Sequence, residues 1–310
     1  MKKLSETIIF FGSGPVAAKS LELLAENFNI EAVITKPKPA HHKGNFPVLD
    51  IAKRLNLPVL TVADRQSLGQ LIQTEPVKSR LGVLIDFGII VSQSVIDYFP
   101  LGIINSHFSV LPEWRGADPI SFVILSGQKV TGVSLMKLVK AMDEGPLIAY
   151  GELALNGNET SAELTEQLIY LSDGLLSDRL PDYIENRSTF NQQTTGREVS
   201  YSRKLNKADG LIDWHKPATQ LEREVRAFLE WPKSRSQLAS KDIIITRAHA
   251  SLESKFRSRA SREIGLTCVT PDKQLAVQTS QGLLIIDKLK PAGKPEMTAR
   301  DFIAGYGRQI

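Results

Sequence analysis

Between residues 7 and 107, short apolar runs alternate with stretches of helical period. The order is TIIFF, a glycine turn, PVAAKSLELLAE, EAVIT, VLDIAKRLN, LPVLTV, SLGQLIQ, LGVLIDFGIIV, SQSVIDYF and LGIINSH. Strands that alternate with helices pair in parallel, because each helix is the crossover that carries the chain back to the same end of the sheet. Such a sheet is α/β, doubly wound and Rossmann-like, and it gathers ligands at the carboxyl ends of its strands. ISFVILSG then reads as a helix, and TGVSLMKLV and LIAYGELAL as two more strands, the second at the sheet edge. SAELTEQLIYLSDGLLSDRLPDYIEN, with apolar residues three and four apart, is a long helix that closes a first domain over residues 1–185.

Residues 186–204 are polar and without period, which suits a linker. DWHKPATQLEREVRAFL follows as a helix, and IIITRAHASL, GLTCVTP, QLAVQTS and GLLIIDKLKP read as four strands separated by turn residues. One helix with several short strands predicts a small β-barrel over residues 205–310. A chain of 310 residues exceeds what one core usually covers, which agrees with two domains.

With 42% hydrophobic and 23% charged residues, the chain has an ordinary globular composition. No apolar run approaches the roughly 18 residues of a membrane span, and MKKLSETIIFFGSGP runs straight into a strand, so neither anchor nor signal peptide is expected. Cys268 is the single cysteine and no Cys/His cluster has zinc spacing, so a cytoplasmic location and no metal are expected. The net charge of +4 is unevenly spread. Residues 1–185 hold 16 Lys+Arg against 21 Asp+Glu, whereas residues 186–310 hold 22 against 13. A basic second half fits a polyanionic partner, with a solvated basic face as the alternative.

Three segments carry candidate chemistry. FGSGPVAA places Gly12, Gly14 and Ala17 in a loose dinucleotide pattern, but the second strand ends in TKPKP instead of an acid, which favours a plain strand-to-helix turn. TKPKPAHHKGN sets Lys36, Lys38, His41, His42 and Lys43 on a proline-stiffened loop, either a solvated surface or a basic finger for phosphates. Asn105 and His107 stand two apart at a strand end, so both point to one side. Asp143, in KAMDEGP after the next strand, completes a trio if both loops open on one edge. The trio has no obvious nucleophile, because Ser106 and Ser109 lack the G-x-S-x-G turn and Cys268 lies in the other half. It suits a nucleophile carried by the substrate. For an amine attacking a carbonyl, Asn105 can hold the oxyanion, His107 can donate to it, and Asp143 can orient the imidazole.

NSHFSVLPEWRGADPI with TGVSLMKLVKAMDEGP resembles the Asn-x-His, SLLPxxRG and Asp-x-G signature of the folate-dependent formyltransferases. The resemblance implies catalytic roles for Asn105, His107 and Asp143 and no metal. It implies a folate pocket lined by Ser109, Val110, Leu111 and Pro112, together with Phe87, Gly88 and Ile89. YSRKLNKADGLIDWHKPATQLEREVRAFLEWP and LLIIDKLKPAGKPEMTARDFIAGYGRQ resemble the opening and closing segments of the C-terminal domain in the tRNA-directed members of the family. The implied architecture is a Rossmann-like formyltransferase domain followed by an OB-like barrel. The implied reaction takes a formyl group from 10-formyltetrahydrofolate to initiator methionyl-tRNA. The implied tRNA contacts are Lys36, Lys38, His41, His42, Lys43, Arg203, Lys204 and Lys207, and the chain is expected to act as a monomer. An amino-sugar formyltransferase and a non-enzymatic RNA-binding protein on the same fold are the alternatives. Glu113, Asp118 and Glu144 depart from the family pattern and leave Arg115 flanked by acids, and the basic loop after the second strand is shorter than is usual.

Overall fold

The computed structural model of the protein describes residues 6–39, 41, 44, 46–75, 77–193, 196–252 and 263–309. His42 and Lys43 of the basic loop lie outside the described residues. The chain divides into two compact units. The first gathers Met1–Pro119, Val130–Ala154 and Thr165–Arg203, and the second Ile120–Lys129, Leu155–Leu164 and Lys204–Ile310.

In chain order the elements as far as the end of the first unit are β1 (Thr7–Phe11), α1 (Pro15–Asn27), β2 (Asn29–Thr35), α2 (Pro47–Arg54), β3 (Val59–Thr61), α3 (Arg65–Thr74), β4 (Leu81–Leu84), α4 (Gln93–Tyr98) and β5 (Ile103–His107). They continue as β6 (Arg115–Gly116), α5 (Pro119–Ser126), β7 (Val130–Lys137), β8 (Leu147–Ala154), α6 (Ser161–Ile184) and β9 (Tyr201–Ser202). Among the described residues the first unit holds a seven-stranded sheet in the order β3-β2-β1-β4-β5-β7-β8. The strands from β3 to β5 pair in parallel, while β7 and β8 form an antiparallel edge. Central β1 is apolar on both sides: Ile8, Ile9, Phe10 and Phe11 are fully buried, each contributing about 1.5–3 kcal/mol. Phe11 packs edge-on to Phe87 at 5.6 Å and to Phe99 at 5.8 Å.

The run LGVLIDFGIIV is strand only as far as Leu84. Positive φ angles at Asp86 (47°) and Gly88 (64°) turn the chain off the sheet. Phe87 is thereby driven into the core, and Ile90 stands 67% exposed on the rim.

The second unit contains α7 (Ala218–Ala227), β10 (Ser234–Leu238), β11 (Lys241–Ser251), β12 (Thr267–Val269), β13 (Leu275–Gln278), β14 (Leu283–Pro291), β15 (Met297–Thr298) and α8 (Ala299–Tyr306). Its antiparallel sheet runs β10-β11-β14-β13-β12, with β15 added beside β14, and curls around a core that includes Leu221, Ile245, Val277, Ile286 and Phe302. β10 and β15 were not among the four strands expected here. SRSQL has no apolar alternation, and its pairing with β11 comes from backbone partners such as Arg235 opposite Ile244.

Candidate active site

β5 ends in the buried pair Asn105 and His107, 8% and 6% exposed. Between them Ser106 points to the other face and shares a hydrogen bond with Ser172 of α6 at 2.7 Å. The Asn105 carboxamide makes no hydrogen bond among the described residues, which leaves its donors and acceptor available. His107 Nε2 lies 3.0 Å from the Trp114 carbonyl oxygen. A carbonyl only accepts, so Nε2 carries a proton. Nδ1 then faces the Asp143 carboxylate at 3.8 Å, too far for a hydrogen bond and within reach of an ion pair when both nitrogens are protonated.

Asp143 arrives by a route that the sequence did not indicate. β7 is antiparallel to β5, with Lys137 opposite Ile104, so the loop after β7 does not leave from the carboxyl end of β5. The loop nevertheless brings Asp143 back toward His107, and Asp143 Oδ2 accepts the Gly116 N–H at 2.8 Å. The acids around Arg115 are also resolved. Arg115 pairs with Glu144 at 3.1 Å and with the Gln193 side-chain oxygen, while Glu113 pairs with Arg197 at 2.9 Å.

In the segment 186–204, expected as a linker, Gln193, Arg197, Ser200 and Ser202 bond to these loops. Ser200 Oγ accepts the Trp114 N–H at 2.9 Å, its carbonyl accepts the Arg115 N–H at 2.9 Å, and β9 pairs with β6. Gly116 has φ 119°, and a Cβ there would lie 2.1 Å from the Ser202 carbonyl oxygen, so a side chain would push the two strands apart. Arg197 adds a second contact, to Glu152 at 2.9 Å. Sequence reasoning missed Gln193, Ser200 and Ser202, because short polar residues without period look the same in a loose connection and in a bound one.

The residues expected to line the folate pocket are largely turned inward. Phe87, Ser109, Val110 and Leu111 are buried, and Pro112 follows them. Ser109 Oγ donates to the Glu113 carbonyl, and Ser134 Oγ donates to the Ser109 carbonyl while accepting the Leu111 N–H. What this group offers a ligand is backbone, the half-buried Ile89 and exposed Gly88, and their neighbour Ile90. Lys36 is half-buried and donates to the Gly88 carbonyl at 2.9 Å, so it belongs to this rim more than to a free loop. Lys38, His41, Arg203, Lys204 and Lys207 are exposed.

The glycine turn after β1 is filled by the chain itself. The Asp86 carbonyl accepts the Ser13 N–H at 2.9 Å, and a Cβ on Gly14 would lie 1.9 Å from Asp86 Oδ2. The Asp86 carboxyl takes the Ala17 N–H at the start of α1, where a dinucleotide phosphate would otherwise dock. Burial pushes this carboxyl up to about 6, against the pull of the Ala17 N–H and the Lys36 ammonium, with Asp118 adding to the rise. A raised folded-state value means that the contribution to stability is present in full below the unfolded value and is lost as pH rises through about 6. Asp86→Asn, whose oxygen still accepts the Ala17 N–H, is therefore expected to stabilise the protein at pH 7.5. Because the residue keeps an exposed flank, the gain is about 1 kcal/mol, fading as pH falls toward 4. Urea unfolding of both proteins across pH 4–8 checks this; equal stabilities at pH 7.5 would remove it.

Among the described residues no group of His, Cys, Asp or Glu is placed to hold a metal ion, and no helix is long and apolar enough to cross a membrane. Residues 7–180 match the family model described as formyl transferase, and residues 204–307 that of the formyl transferase C-terminal domain. A methionyl-tRNA formyltransferase of Nitrosococcus oceani is 32% identical over 304 residues, covering 96% of this chain and 93% of the relative. One from Herpetosiphon aurantiacus is 33% identical over 306 residues, covering 96% and 97%. Among solved structures, the N-formyltransferase of Helicobacter canadensis, in complex with folinic acid and dTDP-3-aminofucose, superposes with a TM-score of 0.66 at 19% identity, over 91% of this chain and 98% of that one. HypX of Aquifex aeolicus in complex with tetrahydrofolic acid gives 0.64 at 13% identity, over 96% of this chain and 47% of that one. At these identities the two structures speak to the fold alone.

Proposed function

Since the chain belongs to the formyl transferase family, we propose that it is a methionyl-tRNA formyltransferase whose reaction centre is Asn105, His107 and Asp143. It transfers a formyl group to the amino group of methionyl-tRNA. The donor on this reading is 10-formyltetrahydrofolate and the acceptor is the initiator methionyl-tRNA of translation initiation. The carrying observation is the unpartnered Asn105 carboxamide, buried at the end of β5 beside a histidine that faces a carboxylate.

The amine of the methionyl ester attacks the formyl carbon. A C–N bond forms to the amine, the formyl oxygen takes up negative charge, and the bond from carbon to N10 of the folate then breaks. Asn105 donates to that oxyanion from a position where its N–H groups have no competing acceptor. His107 donates from its Nε2–H once that group leaves the Trp114 carbonyl, and Asp143 stands beside Nδ1 to balance the imidazolium charge that develops during transfer. The net proton transfer runs from the attacking amine to N10. The backbone of residues 87–89 and 109–112, with Ile89 and Ile90, flanks the donor.

A transfer assay with a labelled formyl donor tests the reading, with charged initiator tRNA as acceptor and charged elongator tRNA as control. Formylation of the initiator is expected. No product with either tRNA, but turnover with an amino sugar, would replace this reading with the sugar-directed one.

On the same reading, Lys38, Arg203, Lys204 and Lys207 meet tRNA phosphates. Replacing all four by Gln is expected to weaken binding and to flatten the dependence of log K on log salt by about 3, at roughly 0.7–0.9 per lost contact. Filter binding from 50 to 300 mM salt reads the slope, and an unchanged slope would mark these side chains as merely solvated.

A further inference from the structure

Gln193 lies in the polar segment after α6 and joins three places at once. Its Nε2 donates to the Asp143 carbonyl at 2.6 Å and to the Gly145 carbonyl at 2.9 Å, while Oε1 accepts from Arg115 Nη2 at 2.7 Å and Nε at 3.2 Å. A guanidinium only donates, so the oxygen end of the amide must face Arg115 and the NH2 end must face the two carbonyls. Arg115 is itself held by Glu144 at 3.1 Å, within the same loop as Asp143.

The loop needs that support. Asp143 sits at φ 53°, a region that costs an L-residue about 1–2 kcal/mol. Gly145 is pressed so closely to Lys137 that a Cβ would lie 1.8 Å from the Lys137 carbonyl oxygen. Within the loop, Glu144 N reaches the Ala141 carbonyl only at 3.4 Å. The position of Asp143 is thus set from outside, its carboxylate by the Gly116 N–H and its main chain by Gln193.

We propose that Gln193, oriented by Arg115, is a positioning residue for formyl transfer, holding the main chain of residues 143–145 so that the Asp143 carboxylate faces His107. The inference rests on the reading that Asp143 acts in that reaction. A shift of about 1 Å in such a group is enough to cost roughly 100-fold in rate without touching the substrate.

Two near-isosteric variants separate this role from simple loop stability. Gln193→Met removes every hydrogen bond of the amide. Gln193→Glu keeps the contact with Arg115 and sets an acceptor against the Asp143 and Gly145 carbonyls, so it still folds if the Arg115 contact is what stabilises the segment. Wild type and both variants are assayed for formyl transfer to charged initiator tRNA, with Tm measured on the same samples. Both variants are expected to lose about 10–100-fold in kcat, with KM for donor and tRNA within about 3-fold and Tm within about 3 °C of wild type. With an active wild type, either variant retaining kcat within about 2-fold overturns the inference alone, as does activity lost only in step with Tm. A wild type inactive in the same assay overturns the functional reading, and the inference falls with it.

Discussion

Replacing Asn105 by Ala is expected to lower kcat about 10²–10³-fold while leaving the affinity for folate and tRNA nearly unchanged, because the amide is proposed to act on charge that exists only in the transition state. The structure makes this an unusually clean substitution. The Asn105 side chain has no hydrogen-bond partner among the described residues, so its removal orphans nothing and Tm should stay close to wild type. His107→Ala differs, since it removes the closer of two donors to the Trp114 carbonyl, leaving Ser202 Oγ at 3.4 Å, and is expected to lower both rate and stability. Steady-state kinetics with single-turnover controls separates the two effects. An Asn105→Ala enzyme within about 5-fold of wild type in kcat would refute the oxyanion role.

The second large effect is expected at Asp143→Asn, a loss in kcat of about 10²–10⁴-fold with the loop intact. An amide oxygen still accepts the Gly116 N–H, and Asn tolerates the positive φ at this position as well as Asp does. Only the charge facing His107 Nδ1 disappears. The imidazolium that forms during transfer then has no counter-charge, and the cost falls on the chemical step. Asp143→Glu keeps the charge on a longer stem and should recover part of the rate. Equal activities for Asn and Glu variants would show that the carboxylate's charge is not what matters.

Much of β5 was legible because a strand end has few ways to place polar residues. Asn105 and His107, two apart after an apolar run, had to share a side, and the structure has them buried together. The path of Asp143 was not legible. Whether β7 runs with or against β5 depends on crossovers that leave no mark on TGVSLMKLV itself. The burial of Phe87 was not legible for a related reason: after Asp86 turns left-handed, the direction of the following side chain no longer obeys the alternation of the strand. Gln193, Ser200 and Ser202 were the largest omission, since their side-chain bonds run to residues some 50 to 90 positions earlier.

The return of the chain after α6 also sets where this protein can be cut. A fragment ending at residue 185 would contain every residue of the proposed reaction centre and the whole of the seven-stranded sheet. It would still lack the donor to the Asp143 carbonyl, the acceptor of the Trp114 N–H and the strand beside Gly116. Such a fragment is expected to fold yet to be a poor catalyst, and one extended through Arg203 to regain its organised loops. The end of the smallest fragment expected to keep these loops in place is thus set by the last hydrogen bond made to them, not by the last residue of the sheet.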